Sequence, residues 1–478
     1  MMRSLLAFVS VLALLPTKAQ SESHNKPTQT VLIPSQPHAT AAGTLYLNRC
    51  VGGCTIYKSG LNDARTRQST IPQGDATEYT LTEFAWGDEV WNDIVQCVKE
   101  VYSPYDVVIT DQPPAPGVPY NEAIIAGTDD EVGRSAGGIA PVTGDCMPYN
   151  YTINFTFAND YAPSQVFQIC AVAAQESGHS YGLDHTFAFI DGTSGCRDPM
   201  TYRGDCGGQK FFRNEMAICG EYSERDCACG KNQNSHLKLV SALGPGLPIT
   251  RPPEVTVTTP APDSTIAAGQ QVIATASAQR GIKTVELWLN GYLWGTARGA
   301  AWGRDGQPES AYGIRIPDEV PDGVIDIVVK AKDDIDVTTT APTVTVTKGA
   351  PCTSADTCLD GQRCDAGRCL WDPPSGDLGD PCTYPQFCLS GVCVETSGGE
   401  FCSQKCLPGV GDSCPDDLTC EESAPGQGFC FSGEAMCDGG CCGCAIVDTR
   451  VVGAGTGSAL TVLFLGGVGF LVFRRRRR

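Results

Sequence analysis

The spacing of apolar residues changes along the chain, and each change marks a different element type. Thr44 to Leu47 opens the first ordered block, and Phe84 to Val101 then places Trp86, Val90, Trp91, Ile94, Val95 and Val98 at helical spacing. Asp106 to Thr110, Ala123 to Ala126 and Tyr151 to Phe157 read as strands, the last alternating Tyr, Ile, Phe and Phe against Thr, Asn and Thr. Ser164 to Tyr181 reads as a second helix, with Ser164 as its N-cap and Gly182 in the breaker position. A long irregular stretch bearing cysteines runs on to about Leu247, and the whole predicts an α+β domain over residues 44–250.

Past Pro252 and Pro253 the period shortens to two. Val255 to Thr258, Gln271 to Ala276, Lys283 to Leu289, Ile325 to Ala331 and Thr343 to Thr347 are short alternating strands between Gly, Asp and Pro turns. Residues 253–348 therefore read as an all-β sandwich of ~100 residues, and the pattern resembles the immunoglobulin-like modules of bacterial surface proteins. Residues 351–444 are different again. From Cys352 to Cys430 twelve cysteines stand among Gly, Asp and Pro with few aliphatic residues, so disulfides must substitute for a core. Two repeated units are visible, at Cys352, Cys358, Cys364 and Cys369 and at Cys382, Cys388 and Cys393. Zinc knuckles are the rival reading, and the lack of any histidine in this stretch weighs against them.

The ends of the chain speak to compartment. Residues 1–19 carry Arg3, an apolar run from Leu5 to Leu15 and the small residue Ala19, the pattern of a signal peptide. Residues 20–43 form a polar leader, expected to be unstructured or a short pro-segment. Val451 to Phe473 has no charge and is long enough to span a ~30 Å hydrocarbon core as a single transmembrane helix, and Arg474 to Arg478 follow at once. By the positive-inside rule those arginines stay in the cytoplasm, which places the rest of the mature chain outside the cell. The 26 cysteines agree with export, and a formal charge of −20 argues against nucleic acid as a partner.

Candidate chemistry lies at the end of the second helix, in Gln175-Glu-Ser-Gly-His179-Ser-Tyr-Gly182-Leu-Asp-His185. Residues 175 and 179 share a helical face and can grip one ion, Glu176 projects beside them, and Gly182 permits the sharp turn that returns His185. This resembles the metzincin signature H-E-x-x-H-x-x-G-x-x-H of zinc metalloproteases at every fixed position except the first, which is Gln175 here. Asp198-Pro-Met200-Thr-Tyr202 resembles the Met-turn of the same clan, and the strand, edge strand, strand, helix order upstream also fits it.

The resemblance implies a surface metalloendopeptidase acting on extracellular proteins or peptides. It would use one zinc ion on His179, His185 and Gln175, with Glu176 as general base, Tyr202 as metal ligand or oxyanion donor, and Met200 beneath the metal. An amide oxygen is a weaker donor than imidazole, so Gln175 leaves three readings open. The domain is an enzyme with a weakly held zinc, a pseudo-protease serving as an adhesin or binding module, or a fold that uses its histidines otherwise. Gly439 to Cys444, the apolar helix and the arginine run together resemble the tripartite sorting tail of myxobacteria. That resemblance implies a sorting protease as partner and makes Cys441, Cys442 and Cys444 the candidate processing sites, with an ordinary membrane anchor as the alternative.

Overall fold

Helical spacing yields the two long helices at their expected places. The computed structural model describes residues 26–34, 41–190, 193–204, 206–299, 309–396, 398–406, 413–415, 418–424, 427–432 and 448–451. The expected signal peptide and Cys441, Cys442 and Cys444 lie outside these residues, as does the apolar run beyond Val451. No helix among the described residues is long and apolar enough to cross a membrane. The described chain is mostly β-sheet, with α-helices only at Gly87–Tyr102, Val166–Ser180 and Ser235–Leu243.

The chain divides into two units. One gathers the chain up to His185 with Ala228–Gly230 and Leu239–Gly246; the other holds Thr186–Cys227, Lys231–Lys238 and the chain from Leu247 on. This differs from the single domain read over 44–250. The sequence boundary followed the prolines of a linker. Within the second unit a buried ion cluster ties the cysteine-bearing stretch to the sandwich: Asp334 accepts from Arg280 Nε at 2.8 Å and lies 3.5 Å from Arg213 Nη1.

In the first unit α1 (Gly87–Tyr102) carries Asp88 and Glu89 in its first turn, where carboxylates oppose the helix dipole, and buries Trp91, Ile94, Val95, Val98 and Val101. A disulfide joins Cys97 of α1 to Cys170 of α2 (Val166–Ser180). Gln165, not Ser164, is the N-cap of α2, and it makes no side-chain capping bond. From Ile169 onward every residue of α2 is buried, and Ala171, Ala173, Ala174 and Gly178 let its neighbours approach closely.

The sheet beside α2 has six strands in the order Gln29–Ile33, Gly138–Thr143, Ile153–Thr156, Asn121–Ile125, Thr44–Asn48 and Val108–Thr110. The last four run parallel, and Gly138–Thr143 opposes them. The first strand is a correction, because it falls within the leader expected to be unstructured. Gln29 to Ile33 pairs in parallel with Ile139 to Thr143, residue for residue. A five-residue polar-flanked segment gives no local sign of a partner more than a hundred residues away.

In the second unit Gly323–Lys332 alternates strictly between buried and half-buried positions, as a strand with one face on a core must. It belongs to a sheet with Thr265–Ile266, Val344–Lys348, Thr284–Leu289, Tyr292–Arg298 and Thr338–Thr340, which faces a second sheet of Glu254–Thr259, Gln271–Ser277 and Glu309–Arg315. Val272, Ala274, Val285, Leu287, Ile314, Ile325, Ile327 and Val346 fill the space between them. The twelve cysteines that follow make three repeats, not two. Each joins its first cysteine to its third and its second to its fourth: 352–364 and 358–369, 382–393 and 388–402, 406–420 and 414–430. With every one of these sulfurs in a disulfide, the zinc-knuckle alternative falls.

Candidate metal centre

The end of α2 places the motif. Leu183 N–H donates to Gly178 O at 3.2 Å and Gly182 N–H donates to His179 O at 3.0 Å, the paired bonds of a Schellman motif. Gly182 sits in the left-handed region at φ 86°, and a Cβ there would run into the carbonyl oxygen of Cys146. Cys146 is itself fixed by its disulfide to Cys229. Only glycine satisfies both the turn and that approach.

The same turn orients the histidines. His179 Nδ1 lies 2.7 Å from Leu183 O, an arrangement in which Nδ1–H donates and Nε2 keeps its lone pair. His179 Nε2 and His185 Nε2 are 3.0 Å apart with the two rings nearly perpendicular, and both residues are buried. Asp184 positions this pair. Its Oδ1 accepts from His185 N–H at 2.7 Å and its Oδ2 from Ala228 N–H at 2.8 Å.

Glu176 is fully buried, and neither carboxylate oxygen has a hydrogen-bond partner among the described residues. Burial pushes its carboxyl well above the usual range. The wall beside it is Gly138, where a Cβ would sit 2.9 Å from Glu176 Cγ and 2.9 Å from Phe155 O, so the opposing strand reaches the helix only because that position is glycine. Gln175, also buried, donates from Nε2 to Thr28 Oγ1 at 2.8 Å.

These residues fit a transition metal in part. Zinc at 2.0–2.1 Å from two imidazole nitrogens in tetrahedral geometry sets those nitrogens about 3.3 Å apart, close to the separation of His179 and His185. The orphaned Glu176 carboxylate is the kind of group that a cation nearby would satisfy. No third His, Cys, Asp or Glu joins this histidine pair among the described residues, and the Gln175 amide is engaged with Thr28. Gln175, Glu176, His179, Gly182 and His185 thus share one helix and turn.

Met200 and Tyr202 belong to the second unit. There Asp198, buried, accepts from Met200 N–H and from Arg213 N–H, both at 2.9 Å, and pins a tight turn with Met200 fully buried. Tyr202 is partly buried and meets Tyr222 edge-on at 5.5 Å.

Comparison with known proteins speaks to the sandwich. Residues 253–312 match the family described as Bacterial Ig domain. That segment is immunoglobulin-like. Its strand arrangement agrees, and the regularly spaced alternation read from the sequence is the feature responsible. Among solved structures, the fibronectin(III)-like modules of Clostridium thermocellum CbhA are similar at 24% identity over 20% of this chain and 96% of that chain, with a TM-score of 0.15. A chitin binding domain from Burkholderia pseudomallei is similar at 14% identity over 18% of this chain and 57% of that chain, with a TM-score of 0.14. No curated protein matches the chain.

Proposed function

We propose that the first unit is a zinc metalloendopeptidase displayed outside the cell, carried on the immunoglobulin-like domain and the disulfide repeats and held by a C-terminal anchor. The observation that carries this reading is the His179–His185 pair beside a buried carboxylate without a partner. The eleven disulfides among the described residues support an oxidising compartment.

His179 and His185 would hold the metal, and Gln175 would add its Oε1 after leaving Thr28. Zinc there would supply Lewis acidity to the scissile carbonyl. Glu176 takes a proton from the attacking water and returns it to the leaving amine, a role that suits a carboxyl group whose burial raises its proton affinity. The Schellman turn and Asp184 keep the imidazoles in register, so little reorganisation is needed at the moment of reaction.

A second reading is favoured by one observation. Gln175 is bonded to Thr28, which suits a retired site kept as a binding scaffold. Metal content and peptide hydrolysis separate the two. The enzyme reading expects about one zinc per chain after purification without chelators, retention of zinc with loss of turnover in Glu176→Ala, and loss of both in His179→Ala. Absence of zinc from the wild-type chain, even after zinc is added back, would leave the binding scaffold standing.

A further inference from the structure

We propose that the second unit holds a peptide-binding site of its own, in a cavity between the sandwich and the second cysteine repeat. Its occupant is an extended segment that pairs with the free edge of Tyr292–Arg298 and carries an apolar side chain with a carboxylate two residues away. The site is independent of the metal centre, since every residue in it lies beyond Leu247.

The cavity measures about 480 Å³, a size that suits a bound ligand. Trp288, Tyr292 and Leu293 of the sandwich form one wall, and Pro385, Leu389 and Val392 of the repeat form the other. Leu389 is 61% exposed, so that wall is open to a partner. Trp288 is held in place before anything binds. Its Nε1–H donates to Glu286 Oε2 at 2.9 Å, and Glu286 is itself paired with Lys332 at 2.6 Å. Lys330 Nζ lies 3.6 Å from the centre of the Trp288 ring. That lysine comes from Gly323–Lys332, which pairs with one side of the Trp288 strand, whereas Leu293 lies across from Trp288 on the other side. A ring already carrying one cation is a poor seat for a second, so the cavity suits an apolar group.

Charge and backbone narrow the occupant further. No Asp or Glu among the described residues lines the cavity, although the chain carries a formal charge of −20. Lys405, which borders it, is exposed and makes no ion pair among the described residues, and its complement is a carboxylate. Tyr292–Arg298 ends the order of its sheet, with no described strand on its outer side. Such an edge offers backbone N–H and C=O groups that a small apolar acid leaves bare and that an extended peptide satisfies. A peptide residue placed opposite Leu293 projects on the same face as Leu293 and enters the cavity, and the residue two positions along shares that face. An apolar side chain at the first position and Asp or Glu at the second fit both features.

The test selects a displayed library of random heptapeptides on the full chain, with Leu389→Glu as the counter-selection. Leu389 is exposed, so an acid there leaves the fold in place and brings charge into the cavity. Peptides with an apolar residue two positions from Asp or Glu are expected to emerge. They should bind Leu389→Glu about tenfold or more weakly, and Lys405→Glu about threefold to tenfold more weakly. Methylating alternate backbone nitrogens of such a peptide should weaken it in one of the two alternating sets and spare it in the other, because half of its N–H groups face the edge. No enrichment over the counter-selection overturns the site. Enrichment of basic or uncharged peptides overturns the acidic occupant, and equal binding by both methylated forms overturns the strand pairing. A dimer of the chain that Leu389→Glu dissociates makes the occupant a second copy and overturns a separate partner. None of these readings involves zinc, so the site and the metal reading fail separately.

Discussion

Two carboxyl groups of this chain are equally buried and opposite in character. Asp334 in the second unit accepts from Arg280 through Nε and Nη2, both at 2.8 Å, and from Asn214 N–H at 3.3 Å, with Arg213 close by. Burial alone would raise its pKa, but the Arg280 and Arg213 charges and the Arg280 hydrogen bonds outweigh it and hold the group down at about 2. Glu176 in the first unit has the same lack of exposure and no such partners, so burial prevails and its carboxyl is pushed well above the usual range. A satisfied buried charge holds parts of a fold together, whereas an unsatisfied one costs stability and persists where chemistry needs it. The contrast separates architecture from function without reference to any relative.

The largest effect should come from breaking the satisfied cluster. Asp334→Asn leaves Arg280 and Arg213 buried without their counter-charge and should destabilise the second unit by about 3–5 kcal/mol, read from the denaturant midpoint. A loss below about 1 kcal/mol would mean that the cluster is hydrated and that the comparison is unsound. The mirror experiment should move the other way. Glu176→Met fills the same space without a polar group to desolvate, so the first unit should gain about 1–3 kcal/mol while hydrolysis disappears. Destabilisation by Glu176→Met would assign that carboxylate a structural partner and remove it from the site.

The legible parts of the fold are those whose signals are local. Trp91, Ile94 and Val98 announced α1, the alternation from Ile325 to Ala331 announced a strand of the sandwich, and Gly182 announced a turn with two backbone bonds. Glu176, His179 and His185 were also legible, because their spacing alone brings them to one helix end. What was missed depends on distant partners. Gln29–Ile33 is defined by Ile139 to Thr143, Arg213 meets Asp334 more than a hundred residues along the chain, and Asp184 gains its role from Ala228. The third cysteine repeat escaped because its first and last spacings are longer than those of the first two, although its connectivity is the same.

The smallest effect is a pH profile within the second unit, where two groups oppose each other. His236 is lowered from 6.5 to about 4, by burial first and then by the positive charge of Arg280. Asp333 is raised from 3.8 to about 6, by burial first and then by the negative charge of Asp334. For His236 the folded state favours the neutral ring, so its contribution is complete above pH 6.5 and is lost as pH falls towards 4. For Asp333 the folded state favours the neutral acid, so its contribution is complete below pH 3.8 and is lost as pH rises through about 6. Between about pH 4 and 6 the two trends offset, and the wild-type profile should be shallow. His236→Gln should therefore make stability rise, relative to wild type, as pH falls from 6.5 to 4, and Asp333→Asn should make it fall over nearly the same range. Urea midpoints at four pH values across that range decide it. Variant profiles parallel to the wild-type one would show that neither group titrates differently on folding, and that Asp334 is the one acid in this cluster whose ionisation folding alters.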